Sequence, residues 1–113
     1  MQISAHFTLA ELTRSDVALR LGIDNTAPPA VISALRHLAD RVLEPVRRQF
    51  GRPVRINSGY RSPRLNMAVG GSATSQHVFG EAADLEIPGV ANGDIALWIR
   101  DTLVFDQLIL EAY

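Results

Sequence analysis

The side chains capable of chemistry crowd into one stretch, residues 56–86, which reads INSGYRSPRLNMAVGGSATSQHVFGEAADLE. It holds Tyr60, Arg61, Ser75, Gln76, His77, Glu81 and Asp84, with glycines at 59, 70, 71 and 80. His77 and Asp84 form a His-x6-Asp pair. An imidazole at a loop end and a carboxylate on the adjoining strand can converge on one ion if the loop turns back, and Gly80 allows that turn. Both groups are ordinary zinc ligands, at about 2.0–2.2 Å. Such a pair also occurs often by chance. By spacing alone the plainer alternative is preferred: a satisfied strand-edge carboxylate and a loop imidazole bonded to backbone.

The elements that must position these groups follow from the apolar pattern. Residues 7–12, FTLAEL, carry a helix start: Thr8 can cap the amide of Glu11, Glu11 can reach back, and Phe7 can pack on Leu12. This helix ends near Ser15. A second apolar patch, residues 17–22, stops at Gly22 before the loop DNTAPP. Pro28 and Pro29 suit the first turn of a helix, where the missing amide is harmless. From there Val31, Leu35, Leu38, Val42, Val46 and Phe50 recur at helical steps, predicting an amphipathic helix of about twenty residues that covers a sheet. Gly51 is placed to end it, and Pro45 should kink or restart it near Glu44. Residues 53–58 read as a short strand and 63–69 as a single helix closed by Gly70-Gly71. Residues 82–87 read as a second strand, 93–102 as a helix capped by Asn92 with Trp98 in the core, and 105–111 as a third strand. The order α, α, β, α, β, α, β predicts an α+β domain with a small antiparallel or mixed sheet covered by helices.

Composition sets outer limits. At 113 residues the chain is one domain, above the roughly 70–80 residues at which a single core becomes self-sufficient. There are no cysteines, so any metal must be held by imidazole and carboxylate. Arginine is concentrated between positions 36 and 64, whereas acidic residues dominate from Leu65 onward. That basic middle could favour nucleic acid, an anionic wall polymer or a carboxylate ligand. The solvated face of the long helix accounts for Arg36, Arg41, Arg47 and Arg48, and the net charge of −1 argues against a nucleic-acid binder. The first twelve residues lack the basic start and apolar run of a signal peptide. No apolar stretch approaches the roughly 20 residues of a membrane span. His6 reads as a surface residue.

The letters around the His/Asp pair shift the balance toward a metal. Ser58-Gly59-Tyr60-Arg61-Ser62-Pro63, then Asn66, Gly70-Gly71 and Ser75-Gln76-His77-x-x-Gly80-x-Ala82-x-Asp84 resemble the zinc D-Ala-D-Ala carboxypeptidase family. The similarity is strongest to its short single-domain peptidases, common in bacterial and phage proteins. It extends to residues 7–12 and 105–111, most of the chain. It implies a hedgehog/D-Ala-D-Ala-peptidase-like fold and a zinc metallopeptidase acting on peptidoglycan stem peptides, often with D-amino acids. In that reading His77 and Asp84 bind zinc. Arg61 holds the substrate carboxylate or polarises the scissile carbonyl, a role that suits its permanent charge and bidentate fork. Ser75 and Gln76 line the site and orient substrate or His77, and Tyr60 faces substrate or packs in its loop. Glu81 points away from the ion.

One departure stands against the family pattern. Its third zinc ligand is a histidine beyond the last strand, in a Trp-x-His segment, with an acidic residue nearby as general base. Here the remaining histidines, His6 and His37, do not match, and the sequence reaches Tyr113 first. The resemblance therefore implies that residues 1–113 are a single domain lacking its C-terminal part, with zinc weakly held by two ligands. Glu111 is the candidate general base or, equally, an ordinary strand-end carboxylate. The competing expectation is a non-catalytic peptidoglycan-binding or structural domain on the same fold. Neither nucleic acid nor membrane is an expected partner, and the expected place of action is periplasmic, secreted or phage-associated.

Overall fold

The structure is a computed structural model that describes residues 1–72 and 74–103. The strand expected over 105–111, and Glu111 with it, lie outside the described residues.

Thr8 caps α1 (Leu9–Thr13) through the reciprocal box read from the sequence: its hydroxyl accepts from the Glu11 amide while the Glu11 carboxylate accepts from the Thr8 amide. Phe7 and Leu12 are both fully buried. A second helix, α2 (Asp16–Leu21), occupies the patch at 17–22 and is capped by Ser15, with Gly22 in the left-handed conformation at φ 67° closing it. Leu19 and Leu21 on this helix are exposed.

The long helix runs from Pro29 to Phe50, but as three pieces: α3 (Pro29–Leu38), a π-helical turn (Ala39–Leu43) and α4 (Glu44–Phe50). The expected kink at Pro45 is absorbed by that turn. A proline ring clashes with the carbonyl four residues back and offers no amide. Widening the preceding turn, with the Glu44 amide donating to the Ala39 carbonyl five residues back, removes the conflict without ending the helix. Leu35, Leu38, Ala39, Val42, Leu43 and Val46 form its buried face, and Gly51 at φ 62° ends it.

The described sheet is one antiparallel pair, β1 (Arg55–Ser58) and β2 (Asp84–Glu86), in register Arg55↔Glu86, Ile56↔Leu85 and Ser58↔Asp84. Ile56 and Leu85 face the core beneath the long helix. Alternation along a strand then turns Asp84 to the other face. Between the last two pairs β1 advances two residues and β2 one, so Asn57 is the extra residue of a bulge. Bulges re-aim neighbouring side chains, commonly beside active sites; this one sits opposite Asp84. α5 (Pro63–Ala68) follows Ser62, whose hydroxyl caps the Leu65 amide. α6 (Asn92–Thr102) begins one residue earlier than expected, with Ala91 rather than Asn92 at its cap. Trp98 meets Phe50 edge to face, with centroids 6.0 Å apart, and seals the end of the long helix. These elements make the α+β architecture expected from the sequence. Among the described residues no helix is long and apolar enough to cross a membrane.

Candidate active site

His77 lies in a 3₁₀ turn (Gln76–Phe79) that Ser75 caps: the Ser75 hydroxyl accepts from the His77 amide at 3.3 Å. Gly80, at φ 73°, ends the turn and sends the chain into β2, and a Cβ there would press on Val31 of α3. The backbone of residues 59–61 runs alongside. The Arg61 amide donates to the His77 carbonyl at 3.1 Å, and His77 Nδ1 lies 2.7 Å from the Gly59 carbonyl oxygen. A carbonyl only accepts, so Nδ1 carries the proton and donates. The neutral ring then presents a bare lone pair at Nε2.

That lone pair points at Asp84. Nε2 and Asp84 Oδ1 are 3.5 Å apart, and both side chains are almost wholly buried. Neither atom has a hydrogen-bond partner among the described residues. Two acceptors facing each other in the interior repel, and an orphaned buried polar atom costs about 1–3 kcal/mol. A proton on Nε2 would turn the contact into an ion pair without a well-formed hydrogen bond, because 3.5 Å exceeds the roughly 2.7–3.2 Å of an N–H···O bond. A metal cation between them would satisfy both lone pairs at once. Ligands at about 2.0–2.1 Å from a tetrahedral ion stand about 3.4 Å from one another, which is the observed separation within a tenth of an ångström or so. The Gly59 carbonyl on the far nitrogen is the backbone partner that metal-bound imidazoles ordinarily have. The two residues therefore fit zinc as half of a tetrahedral set. Among the described residues no group of three or more such ligands is present.

Arg61 and Asp84 line one cleft of about 340 Å³, together with Tyr60, Asn57, Ser58 and Arg14. The Arg61 guanidinium reaches the Ser75 hydroxyl at 3.4 Å through Nη2, while its buried Nε has no partner among the described residues. Ser75 thus touches both Arg61 and the His77 backbone. Tyr60 is in the core as well as at the cleft, 4% exposed. Burial, and then the charge of Asp24, push its hydroxyl above the usual range, so it stays protonated. Gln76 is half-buried on the 3₁₀ turn, its carbonyl accepting from the Glu81 amide at 3.1 Å, and the Glu81 side chain is exposed.

Three supports have packing roles that the sequence reading did not assign. Gly59 packs so tightly that a Cβ would run into the Leu12 carbonyl of α1. Gly71 does the same against the Asn66 amide, which is 2% exposed and holds the Ser72 carbonyl at 2.7 Å. Asn25, in the loop before α3, bonds to three backbone groups, two of them on either side of Arg61 and the third, the Thr13 carbonyl, at the end of α1. A close-packed glycine leaves no local signal beyond its letter. Asn25 did leave one, since an Asp-Asn-Thr run before two prolines marks an ordered turn.

A buried imidazole and carboxylate spaced to share one ion, beside a cleft that Arg61 lines, on a small sheet roofed by a long helix, are features compatible with metal-assisted hydrolysis. The sequence profile of peptidase M15 matches residues 5–112, and the chain belongs to that family. A stretch of 44 residues, 38% of the chain, is 43% identical to the zinc D-Ala-D-Ala carboxypeptidase of Streptomyces albus G, and the match spans 17% of that protein's length. No solved structure matches the chain.

Proposed function

We propose that this chain is the peptidase domain of a zinc-dependent metallopeptidase that hydrolyses peptidoglycan stem peptides, in D-Ala-D-Ala carboxypeptidase or endopeptidase mode. The observation that carries this reading is the pair of buried atoms without a hydrogen-bond partner among the described residues, His77 Nε2 and Asp84 Oδ1, facing each other at 3.5 Å. Family membership and the name of the Streptomyces relative support it. His77 and Asp84 would hold the ion, with the third protein ligand supplied from outside the described residues. Zinc at this position would polarise the scissile carbonyl and activate a water.

The chain's own residues have separate tasks. The Gly59 carbonyl keeps the proton on His77 Nδ1 so that Nε2 stays free to bind. Arg61 lines the cleft and would present its guanidinium to the substrate carboxylate or the developing charge, where a fixed guanidinium is worth more than in water. Ser75 holds the guanidinium beside the His77 turn. Tyr60 lines the cleft in which the peptide would lie, and Gln76 would orient substrate or His77 from the neighbouring turn. Glu111 is the proposed general base. A second reading, a non-catalytic peptidoglycan-binding domain on the same fold, is favoured by the count of two ligands among the described residues.

The test is release of D-alanine from a pentapeptide ending in D-Ala-D-Ala. Release should stop with a chelator, return with zinc, and be abolished in His77→Ala and Asp84→Ala. Absence of cleavage, or cleavage indifferent to the chelator, overturns the proposal. Chelator-independent binding to insoluble peptidoglycan without cleavage would establish the second reading instead.

A further inference from the structure

Asn25 is half-buried in the loop between α2 and α3, and both ends of its amide are engaged. Nδ2 donates to the Thr13 carbonyl at 2.8 Å and to the Tyr60 carbonyl at 3.0 Å, and Oδ1 accepts from the Ser62 amide at 2.7 Å. Tyr60 and Ser62 are the two neighbours of Arg61. The Arg61 amide itself donates to the His77 carbonyl. Each of three consecutive residues is thus pinned through its backbone, the outer two by one side chain and the middle one by the histidine turn. The Asn25 loop is itself stiffened: the Asp24 carboxylate accepts from the Thr26 amide at 2.9 Å and its hydroxyl at 2.6 Å.

We propose that Asn25 is the positioning residue for Arg61, setting the angle at which the guanidinium enters the cleft and so its grip on a ligand carboxylate. This rests on the reading of Arg61 as the carboxylate-binding group. Only an amide of this length meets the geometry. The site uses two donors and one acceptor on one side chain; aspartate supplies the acceptor alone, and glutamine carries its amide one methylene too far. A residue serving only as a staple for the fold would need no such relation to the arginine. The bracketing of Arg61 on both sides gives Asn25 a second role.

The test uses the zinc-loaded full-length protein and a non-cleavable D-Ala-D-Ala isostere with a ketomethylene linkage, as the free acid and as the C-terminal amide. Calorimetry gives the acid-over-amide preference, chemical denaturation the stability, and chelator competition the zinc affinity. Wild type should prefer the acid by about tenfold or more, as expected where a charge-assisted bidentate contact is worth about 1.4 kcal/mol. Arg61→Ala should erase that preference. Asn25→Ala and Asn25→Asp should each reduce it at least threefold, with zinc affinity unchanged, and Asn25→Ala should add nothing in the Arg61→Ala background. Asn25→Asp retains the acceptor for Ser62 and serves if the alanine variant does not fold. Wild-type preference in a folded Asn25 variant, losses that add to those of Arg61→Ala, or failure of both variants to fold would each overturn the proposal. A full preference persisting in Arg61→Ala would overturn the reading of Arg61 itself, and this inference with it.

Discussion

Gly59→Ala is the substitution that most directly couples the fold to the site. The added Cβ would collide with the Leu12 carbonyl oxygen, and would lie 3.0 Å from the Leu12 carbonyl carbon and 3.1 Å from its Cα. These are backbone atoms of α1 beside a fully buried leucine, so no side chain can swing aside. Either α1 or residues 59–60 must move. Overpacking of this kind costs about 1–3 kcal/mol. The 2.7 Å bond from the Tyr60 amide to the same Leu12 carbonyl, worth about 1 kcal/mol, would be weakened with it. A loss of about 2–4 kcal/mol is a large part of the roughly 5–15 kcal/mol that holds a domain, and corresponds to a melting point about 10–20 °C lower. The shift would also pull the Gly59 carbonyl from His77 Nδ1, and loss of such an outer partner weakens a metal site by about 10–100-fold. Thermal denaturation by circular dichroism and zinc titration against a competing chelator measure the two effects. Gly93→Ala is the control: nothing stands within 4 Å of its Cβ position, and it lies in the first turn of α6, so it should be neutral or slightly stabilising. A Gly59→Ala protein that melts within a degree or two of wild type and binds zinc equally would refute the reasoning.

Gly71→Ala should cost about 1–3 kcal/mol by the same overpacking, because its Cβ would press on the Asn66 amide, 2.8 Å from Cγ. Adding Asn66→Ala should make the pair less than additive in urea denaturation; strict additivity would mean the two do not meet. Glu44, 6% exposed, accepts from the Ser4 hydroxyl at 2.5 Å, the His6 amide at 2.8 Å and the His6 ring at 2.6 Å. Burial pushes its carboxyl up, but these hydrogen bonds together outweigh burial and hold it below the ordinary 4.5. A depressed carboxylate stabilises the fold above its unfolded pKa, and that stability is lost as pH falls through the folded value. Glu44→Gln should therefore cost about 2 kcal/mol near neutrality, and the gap to wild type should begin to narrow below about pH 4.5 and shrink further as pH falls through the lower folded value. Denaturant midpoints that differ equally at pH 7 and pH 3.5 would contradict this.

How far the fold was legible depended on whether the signal was local. The capping box of Thr8 and Glu11, the glycine stops at 51 and 80, and the helical periodicity from Val31 to Phe50 are properties of neighbouring letters, and each appears as read. α2 reads in the sequence only as an apolar patch because Leu19 and Leu21 face outward, which hides its Ser15 cap behind a misleading pattern. Pro45 was expected to bend or restart the helix. Whether a helix kinks or widens at a proline depends on packing against the sheet, which the letters do not encode. Within the site, residues 77 and 84 stand out by type and spacing. Their convergence depends on a bulge at Asn57 and a turn at Gly80, and the former is a tertiary feature. The supports from Asn25 and Gly59 bridge 35 and 18 residues of sequence, too far for any local pattern to carry.

Whether His77 and Asp84 hold zinc is tested most directly by X-ray absorption on the zinc-loaded protein, alongside His77→Ala and Asp84→Ala. One zinc per chain is expected, with nitrogen and oxygen neighbours at about 2.0–2.2 Å. Also expected are an imidazole signature that weakens in His77→Ala, and zinc affinity that falls in both variants. Zinc held with the same affinity and the same spectrum in both variants would mean that the ion sits elsewhere, and that the facing atoms of His77 and Asp84 have another purpose.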